Sequence, residues 1–456
     1  MPDSAPISLK RLVFNASAWS LAGYGISMAI RLGSNLIMTR LLSPHMFGVM
    51  AIATIILIGL AMFSDLGLRQ NIVQSRRGND PAFLNTAWSI QILRGAVLWV
   101  FAAGTSLVLI VANRMGVVPP DSVYASPILP HVITVVSVGI IVGGFTSTKW
   151  SEANRNLSLG RITRIEIISQ IVGLLCMLAW VYFDRSIWAL VAGNLSATIL
   201  RVSLSHLWLR GHSNRWHWDK LAVTEIFSFG KWIFVSSILG FLVSNSDRLL
   251  LGAMVDSNAL GVYVIAFLIY SSVEQILVRI IGDVSFPTLS RIVRERPHDL
   301  SKSYYRLHAV ISSIAYFCAG VLMISGQPLV GILYDSRYAQ AGWMLEILAA
   351  ALLTLPFQMA VQCFLALGKP KIYSNILAVR LATLVAAMPL GFHLAGLEGA
   401  LWGLVICQFT TAAATVAYSV KIGFFHWQRE LPPLLVFFLG IATGKILNLA
   451  VGFLHM

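Results

Sequence analysis

"MFGVMAIATIILIGLAMFS", residues Met46–Ser64, runs nineteen positions without a charge. Crossing the hydrocarbon core of a bilayer takes about 20 apolar residues in a helix. A second uncharged run, Gly399–Val420 ("GALWGLVICQFTTAAATVAYSV"), is as long again. Between and around them the pattern repeats. The 456-residue chain is 57% hydrophobic and 11% charged, against about a quarter charged in a soluble average. Spans are predicted near 15–38, 45–66, 86–112, 126–147, 165–183, 187–208, 223–246, 259–286, 307–333, 343–367, 372–394, 399–420 and 433–453. The loops between these thirteen spans are too short to hold a soluble domain. The fold class expected is an all-α polytopic membrane protein.

Met1–Leu9 is polar, and no short apolar core with a small-residue cleavage site marks a signal peptide. The four cysteines fall inside predicted spans, with neither a disulfide framework nor a metal-ligand spacing. No metal and no cofactor is expected. The net charge of +14 resembles a nucleic-acid signal until it is sorted by side. With the N-terminus in the cytoplasm, 21 of the 33 Lys and Arg fall in the N-terminal segment and the even-numbered loops. Five fall on the opposite side and seven within spans. Cytoplasmic loops carry such an excess in membrane proteins. The basicity is therefore topology, and no nucleic acid is expected as a partner. The predicted location is the cell (inner) membrane, multi-pass.

Upstream of the opening stretch stands "RLLSPHMFGVM" (Arg40–Met50), and a looser echo, "RLLLGAMVDSNALGVYV", runs from Arg248 to Val264. Gly48 and Gly261 are 213 positions apart, about six spans with their loops. Asn35 precedes the first copy and Asn245 the second. Six is even, so both halves begin on the same side, and a repeat of that period reads as parallel, as in some transporters. The expected organisation is an N-terminal six-helix lobe (1–210), a cytoplasmic linker (211–220), a C-terminal six-helix lobe (221–425) and an additional helix (431–456). The two pseudo-symmetric lobes are expected to flank a central cavity.

The stretches "TRLLSPHMFGVMAIATIILIGLAMFSDLGLRQNIVQ" and "NSDRLLLGAMVDSNALGVYVIAFLIYSSVEQILVRIIGDVSFPTLSRI" resemble the paired signatures of bacterial polysaccharide-export flippases. These belong to the multidrug/oligosaccharidyl-lipid/polysaccharide exporter superfamily. The resemblance implies two six-helix lobes with the first two helices of each lining the cavity. It also implies transport of lipid-diphosphate-linked sugars by alternating access. Many members of that group have fourteen helices, and this chain leaves room for one after the twelfth.

Ionisable residues inside spans are costly and default to functional candidates. Arg31 is joined on the first span by Ser20, Tyr24, Ser27, Ser34 and Asn35 at three- and four-residue steps, a single polar stripe. Arg94, Lys231, Arg279 and Arg380 lie seven or eight residues in from the predicted cytoplasmic ends of their helices, roughly 10–12 Å deep. Each is long enough to snorkel to the interface. Together they provide donors at one depth for a diphosphate, and the planar fork of Arg binds phosphate oxygens bidentately. Arg31, Lys231, Arg279, Arg94 and Arg380 are the candidate diphosphate-binding set. Tyr24, Ser27, Asn35, Asn245, Tyr263 and Tyr270 are candidate cavity or sugar contacts. Asp65, Glu274 and Asp283 are the candidates for ion coupling, with Arg279 placed to pair with Asp283 four residues on.

The favoured function is translocation of a lipid-diphosphate-linked oligosaccharide across the cytoplasmic membrane, with polysaccharide polymerase and export machinery as expected partners beside the membrane lipids. A cation-coupled multidrug exporter would need an acid-lined cavity, and the spans hold more bases than acids. A membrane-embedded sugar polymerase or ligase would need a sizeable external loop with catalytic groups, and no predicted loop exceeds about twenty residues. No GxxxxGK[ST] phosphate loop is present. The chain is not expected to be an enzyme.

Overall fold

The computed structural model describes residues 9–156, 158–423 and 425–454. Within these, the side chains at 9–18, 231–232, 235–236, 283–284 and 286–287, among others, lie outside the described set. Every regular element among the described residues is helical. The chain forms two compact units, Met1–Leu242 and Val243–Met456.

The first unit opens with α1 (Leu9–Leu41) and α2 (Pro44–Met62), then the short α3 (Leu68–Gln74) and the long α4 (Pro81–Arg114). There follow α5 (Leu129–Gly144), α6 (Lys149–Arg155), α7 (Leu159–Phe183), α8 (Trp188–Leu207) and the start of α9 (Lys220–Met254). Its helices approach closely where side chains are absent. A Cβ on Gly95 of α4 would lie 3.1 Å from a carbonyl oxygen of α5, and one on Gly173 of α7 would lie 2.8 Å from the Gly193 carbonyl of α8. Small residues at crossings are how helices pack without a hydrophobic drive between them in lipid. The outer faces are apolar instead: Val100, Phe101, Leu107 and Val108 of α4 are all more than half exposed. A soluble protein rarely leaves so continuous an apolar row uncovered.

The stretch 211–220, expected as a cytoplasmic linker between the lobes, is hydrogen-bonded to the first unit. The backbone N–H groups of Arg215, His217 and Asp219 donate to the side-chain oxygens of Asn85, Ser89 and Thr86 on α4. Asn214 bridges Ser147 and Thr148. Arg77 donates to Asp80 at 2.7 Å and to Asp219 at 2.8 Å. Ala222 and Ile226 of α9 then join the buried cluster of Leu68, Ile72, Phe83 and Leu84. The division between compact units therefore falls inside α9, after Leu242.

The second unit continues with α10 (Ser257–Ile280), a π-helical turn at Ile281–Ser285, α11 (Phe286–Glu295) and α12 (Leu300–Leu333). One further pass, Ala341–Ala366, comprises α13 (Ala341–Ala349), a 3-10 stretch containing Pro356, and α14 (Gln358–Ala366). The next element, α15 (Pro370–Ile422), is double length and folds back on itself at Ala395–Gly396, where Gly396 has φ 60°. A residue with a Cβ is strained in that region. The two arms meet at Gly391 and Gly399, and the Cys407 thiol donates to the Arg380 carbonyl at 3.1 Å. The last helix, α16 (Leu431–Leu454), lies against α12, where a Cβ on Gly320 would fall 2.4 Å from the Phe437 carbonyl.

Among the described residues, by length and composition alone, eight helices suit a membrane crossing, or nine if the bent pair α5–α6 counts as one span. The folded-back α15 supplies two passes, and the more polar α1, α8 and α9 account for the other helices on which spans were predicted. Each of the thirteen predicted spans thus lies on a helix or a helix run. Trp180, Tyr182, Trp208, Trp216, Trp218 and Trp427, expected at interfaces, are all exposed.

The sequence echo is partly in register. Two residues separate α1 from α2 and α9 from α10, and Gly48 and Gly261 each occupy the fifth position of their helix. Arg40 stands one residue before the end of α1, whereas Arg248 stands six before the end of α9. The Gly-Val portions correspond; the Arg-Leu-Leu portions do not.

Candidate functional site

In the first unit, α1 presents its polar stripe away from its exposed apolar row. Ala22, Ile26, Ala29 and Ile37 are exposed along one side, and the 3.6-residue period places Tyr24, Ser27, Arg31, Ser34 and Asn35 on roughly the other. Four of those five polar residues are half-buried, while Arg31 is exposed. Its guanidinium donates to the Met28 sulfur at 2.9 Å, a weak acceptor. Arg31 is thus a cation on the polar side of a membrane helix, and the Met28 sulfur it donates to carries no charge.

Arg94 is differently placed. Its Nη2 donates to the Ala61 carbonyl at 2.6 Å and its Nε to the Ser64 hydroxyl at 2.9 Å. Both acceptors belong to the C-terminal end of α2, where helix carbonyls lack partners and the dipole favours a cation. Asp65, next in the chain, accepts from the Gly67 N–H and from the Ser237 hydroxyl of α9, each at 2.9 Å. Gly67 takes φ 57°, and a Cβ there would meet Ile233. Asp65 and Arg94 therefore build the turn that ends α2 and hold it against α9. Lys231 lies on α9, and its side chain lies outside the described residues.

The second unit holds a buried polar chain along one face of α10. Tyr263, Phe267, Tyr270 and Glu274 recur at four, three and four residues, which brings them onto one side. Tyr263 is fully buried and its hydroxyl donates to Asp247 Oδ2 at 2.6 Å. Arg248 lies 3.6 Å from the other oxygen of Asp247 and its guanidinium carbon sits 4.6 Å from the Phe267 ring centroid. It also donates to the Ser244 carbonyl and to Asn245 Oδ1. Tyr270, 2% exposed, hydrogen-bonds Glu274, and Arg380 of α15 lies within electrostatic reach of both. Two carboxylates and two guanidiniums are thus held together, which is how charge survives inside an apolar bundle.

Tyr263 and Tyr270 were expected as cavity or sugar contacts. They are buried, with their hydroxyls on carboxylates, and Asn245 is bound to Arg248. Arg380 balances Glu274 on a neighbouring helix. Arg279 is half-buried near the end of α10. The backbone of Asp283 lies in the π-helical turn, and its side chain, with any pairing to Arg279, lies outside the described residues. The reading of the sequence missed Ser64 and Ser237 as partners of the α2 terminus, because nothing in a lone serine marks its neighbour. The bond from Asp247 to Tyr263 had a signal, the four-three-four spacing of ring and acid on α10.

Glycine-packed helices with apolar outer rows and internally balanced charges define a multi-pass helical membrane protein. The chain belongs to the family described as "Polysaccharide biosynthesis protein", which it matches over residues 37–343. It is 21% identical over 441 residues to the Lipopolysaccharide biosynthesis protein WzxC of Escherichia coli (strain K12), covering 96% of this chain and 87% of that one. It is 25% identical to a Putative O-antigen transporter of Shigella flexneri, covering 85% and 93%. Among solved structures, the Lipid II flippase MurJ in an inward closed conformation superposes with a TM-score of 0.71 at 13% identity, covering 96% and 93%. An inward-facing multidrug resistance MATE family transporter gives 0.65 at 14%, covering 87% and 94%. These two share the fold.

Proposed function

We propose that the protein is a flippase that carries a lipid-diphosphate-linked oligosaccharide across the cytoplasmic membrane by alternating access. It acts by transport and not by catalysis. The reading is supported by membership of a polysaccharide biosynthesis family and by relatives named as an O-antigen transporter and as the succinoglycan biosynthesis transport protein ExoT. The observation that carries it is Arg31, an exposed cation on the polar side of α1. A diphosphate gives its guanidinium the bidentate acceptor that Met28 is not.

The six-helix lobes 1–210 and 221–425 are the moving bodies, with 431–456 an accessory helix, and the N-terminus is cytoplasmic in the inner membrane. Arg31 and Lys231 bind the diphosphate first, with Arg279 as a further cation of the path, while Arg94 at the end of α2 and Arg380 beside Glu274 stay with the fold. Tyr24, Ser27 and Asn35 line the same stripe as Arg31. Ion coupling rests on Glu274, whose hydrogen bond with Tyr270 and balance with Arg380 depend on its charge, with Asp283 in the π-helical turn that follows α10 and Asp65 in the first unit. A polymerase and the export machinery take the product.

The test is replacement of Arg31 with Gln in a strain that depends on this chain for surface polysaccharide. Export is expected to fall at least tenfold with membrane protein level unchanged, and binding of an isoprenoid diphosphate to the purified variant is expected to weaken in parallel. Export at the wild-type rate, or lost export with unaltered diphosphate binding, overturns the assignment of Arg31.

A further inference from the structure

Beside α7, away from the residues assigned above, the first unit contains a cavity of about 290 Å³ lined by Arg161, Arg164, Trp208 and Arg210. Arg161 and Arg164 stand on the first turns of α7, and Trp208 and Arg210 follow the end of α8. Arg164 and Arg210 are exposed and Arg161 is half-buried. Among the described residues no carboxylate forms an ion pair with any of the three. The neighbouring acid, Glu152, is engaged by the backbone N–H of His212 at 3.3 Å. Among the described residues Arg164 donates to the Gly160 carbonyl, at 3.2 Å. Three cations around one hollow repel one another, and a ligand that brings negative charge relieves that repulsion.

The surroundings identify the kind of ligand. Trp208 is 51% exposed and Trp19 is 45% exposed. The Trp19 ring lies under Arg164, 5.6 Å from the guanidinium carbon. Indole rings of this kind settle at headgroup level. From Arg164 the same face of α7 continues through Ile168, Ile171 and Leu175, at steps of four, three and four. Ile171 and Leu175 are exposed, so the basic hollow opens onto an apolar strip along the helix. A cationic cup above an apolar strip matches a molecule with an anionic head and a hydrocarbon tail. The volume is at the lower edge of the range for small-molecule pockets; it accommodates a phosphate with a small polar substituent and not a saccharide repeat.

We propose that Arg161, Arg164 and Arg210, with Trp208, form a binding site for the phosphate of an anionic membrane phospholipid, whose acyl chain lies along Ile168, Ile171 and Leu175. Basic pockets beside membrane helices recognise anionic headgroups through the same charge complementarity. In the orientation proposed above, the lipid comes from the cytoplasmic leaflet. The site anchors α7 and α8 of the first unit to that leaflet and is separate from the diphosphate residues.

The experiment uses the purified full-length protein in neutral detergent, with bound lipid counted by native mass spectrometry as dioleoylphosphatidylglycerol or dioleoylphosphatidylcholine is titrated. Phosphatidylglycerol is expected to bind at least tenfold more tightly than phosphatidylcholine. The variant R161Q/R164Q/R210Q is expected to lose about 100-fold in phosphatidylglycerol affinity, at roughly fivefold per arginine. The variant R161K/R164K/R210K, which keeps the charge, is expected to stay within about tenfold of wild type and guards against a folding defect. Equal binding of the two lipids, or unchanged phosphatidylglycerol binding in the Gln variant, overturns the proposal. Displacement by millimolar inorganic phosphate would reassign the cup to a soluble anion. Tighter binding of farnesyl diphosphate than of phosphatidylglycerol would reassign it to the transport path. Either result also overturns the lipid site.

Discussion

Replacing Arg94 with Gln separates a cation that holds the fold from one that holds substrate. In the structure Arg94 donates to the Ala61 carbonyl at 2.6 Å and to the Ser64 hydroxyl at 2.9 Å. Hydrogen bonds from a charged donor contribute about 1.5–3 kcal/mol each. The Ser64 hydroxyl keeps its own bonds to the Leu60 and Ala61 carbonyls after the change, so the loss there is partial. The expected destabilisation is therefore about 3 kcal/mol, nearer one full bond and part of another than two full bonds. For a unit of some 200 residues, roughly 2–4 °C accompany each kcal/mol, so the melting temperature should fall by about 6–12 °C. The assay is thermal unfolding of the purified protein beside polysaccharide export in cells. Ser64→Ala in the same protein should couple to Arg94→Gln by about 1 kcal/mol, since the two groups share a bond. Should Arg94→Gln melt within about 2 °C of wild type while export is lost, the structural reading is refuted and Arg94 belongs with Arg31 as a substrate contact.

Two further changes probe the buried acid of the second unit and the stitched linker of the first. Tyr263→Phe deletes the 2.6 Å donor to Asp247 and should destabilise by about 2 kcal/mol, with the loss largely suppressed when Asp247 is already Ala; equal losses in both backgrounds would dismiss the pairing. Arg77 holds the Asp80 and Asp219 carboxyls below their usual 3.8, chiefly through its hydrogen bonds. Carboxyls depressed in the folded state stabilise it above the usual value and cease to do so as pH falls through the lowered one. Thermal stability should therefore decline below about pH 4 by a component that Arg77→Gln removes; an identical pH profile in the variant would exclude it.

The helices were legible because their cause is local. An uncharged run such as Met46–Ser64 can only be a helix once it is in lipid, where every backbone group must bond within its own segment. The folded-back α15 was legible in the same way, as two spans with Gly396 between them. What could not be read was the destination of each charge. Arg94 and Arg31 look alike in sequence, each a lone cation in an apolar run, yet one reaches a helix end thirty residues away in the chain and the other faces only Met28. The attachment of the linker was not legible for the same reason. "RGHSNRWHWDK" is polar and basic, as a free connector would be. Its attachment depends on Asn85, Thr86 and Ser89 of α4, which accept from alternate backbone N–H groups of the linker, and that match exists only after both segments are placed.

This difference gives a criterion for sorting charges within a membrane helix bundle. A cation with carbonyl, hydroxyl or carboxylate partners within hydrogen-bond reach is already compensated, and a ligand must displace those partners before it gains anything. Arg94 is compensated at the end of α2, and Arg248 beside Asp247, Asn245 and the Phe267 ring. Arg31 stands apart, since the Met28 thioether does little for a guanidinium and a phosphate oxygen would replace it at no cost to the fold. Arg161, Arg164 and Arg210 are set apart on net charge instead: Arg164 has the Gly160 carbonyl, but no carboxylate among the described residues answers three positive charges around one hollow. For Arg31 the proposed diphosphate would supply the anion, and for the α7 cup the exposed tryptophans and the apolar strip favour a lipid phosphate.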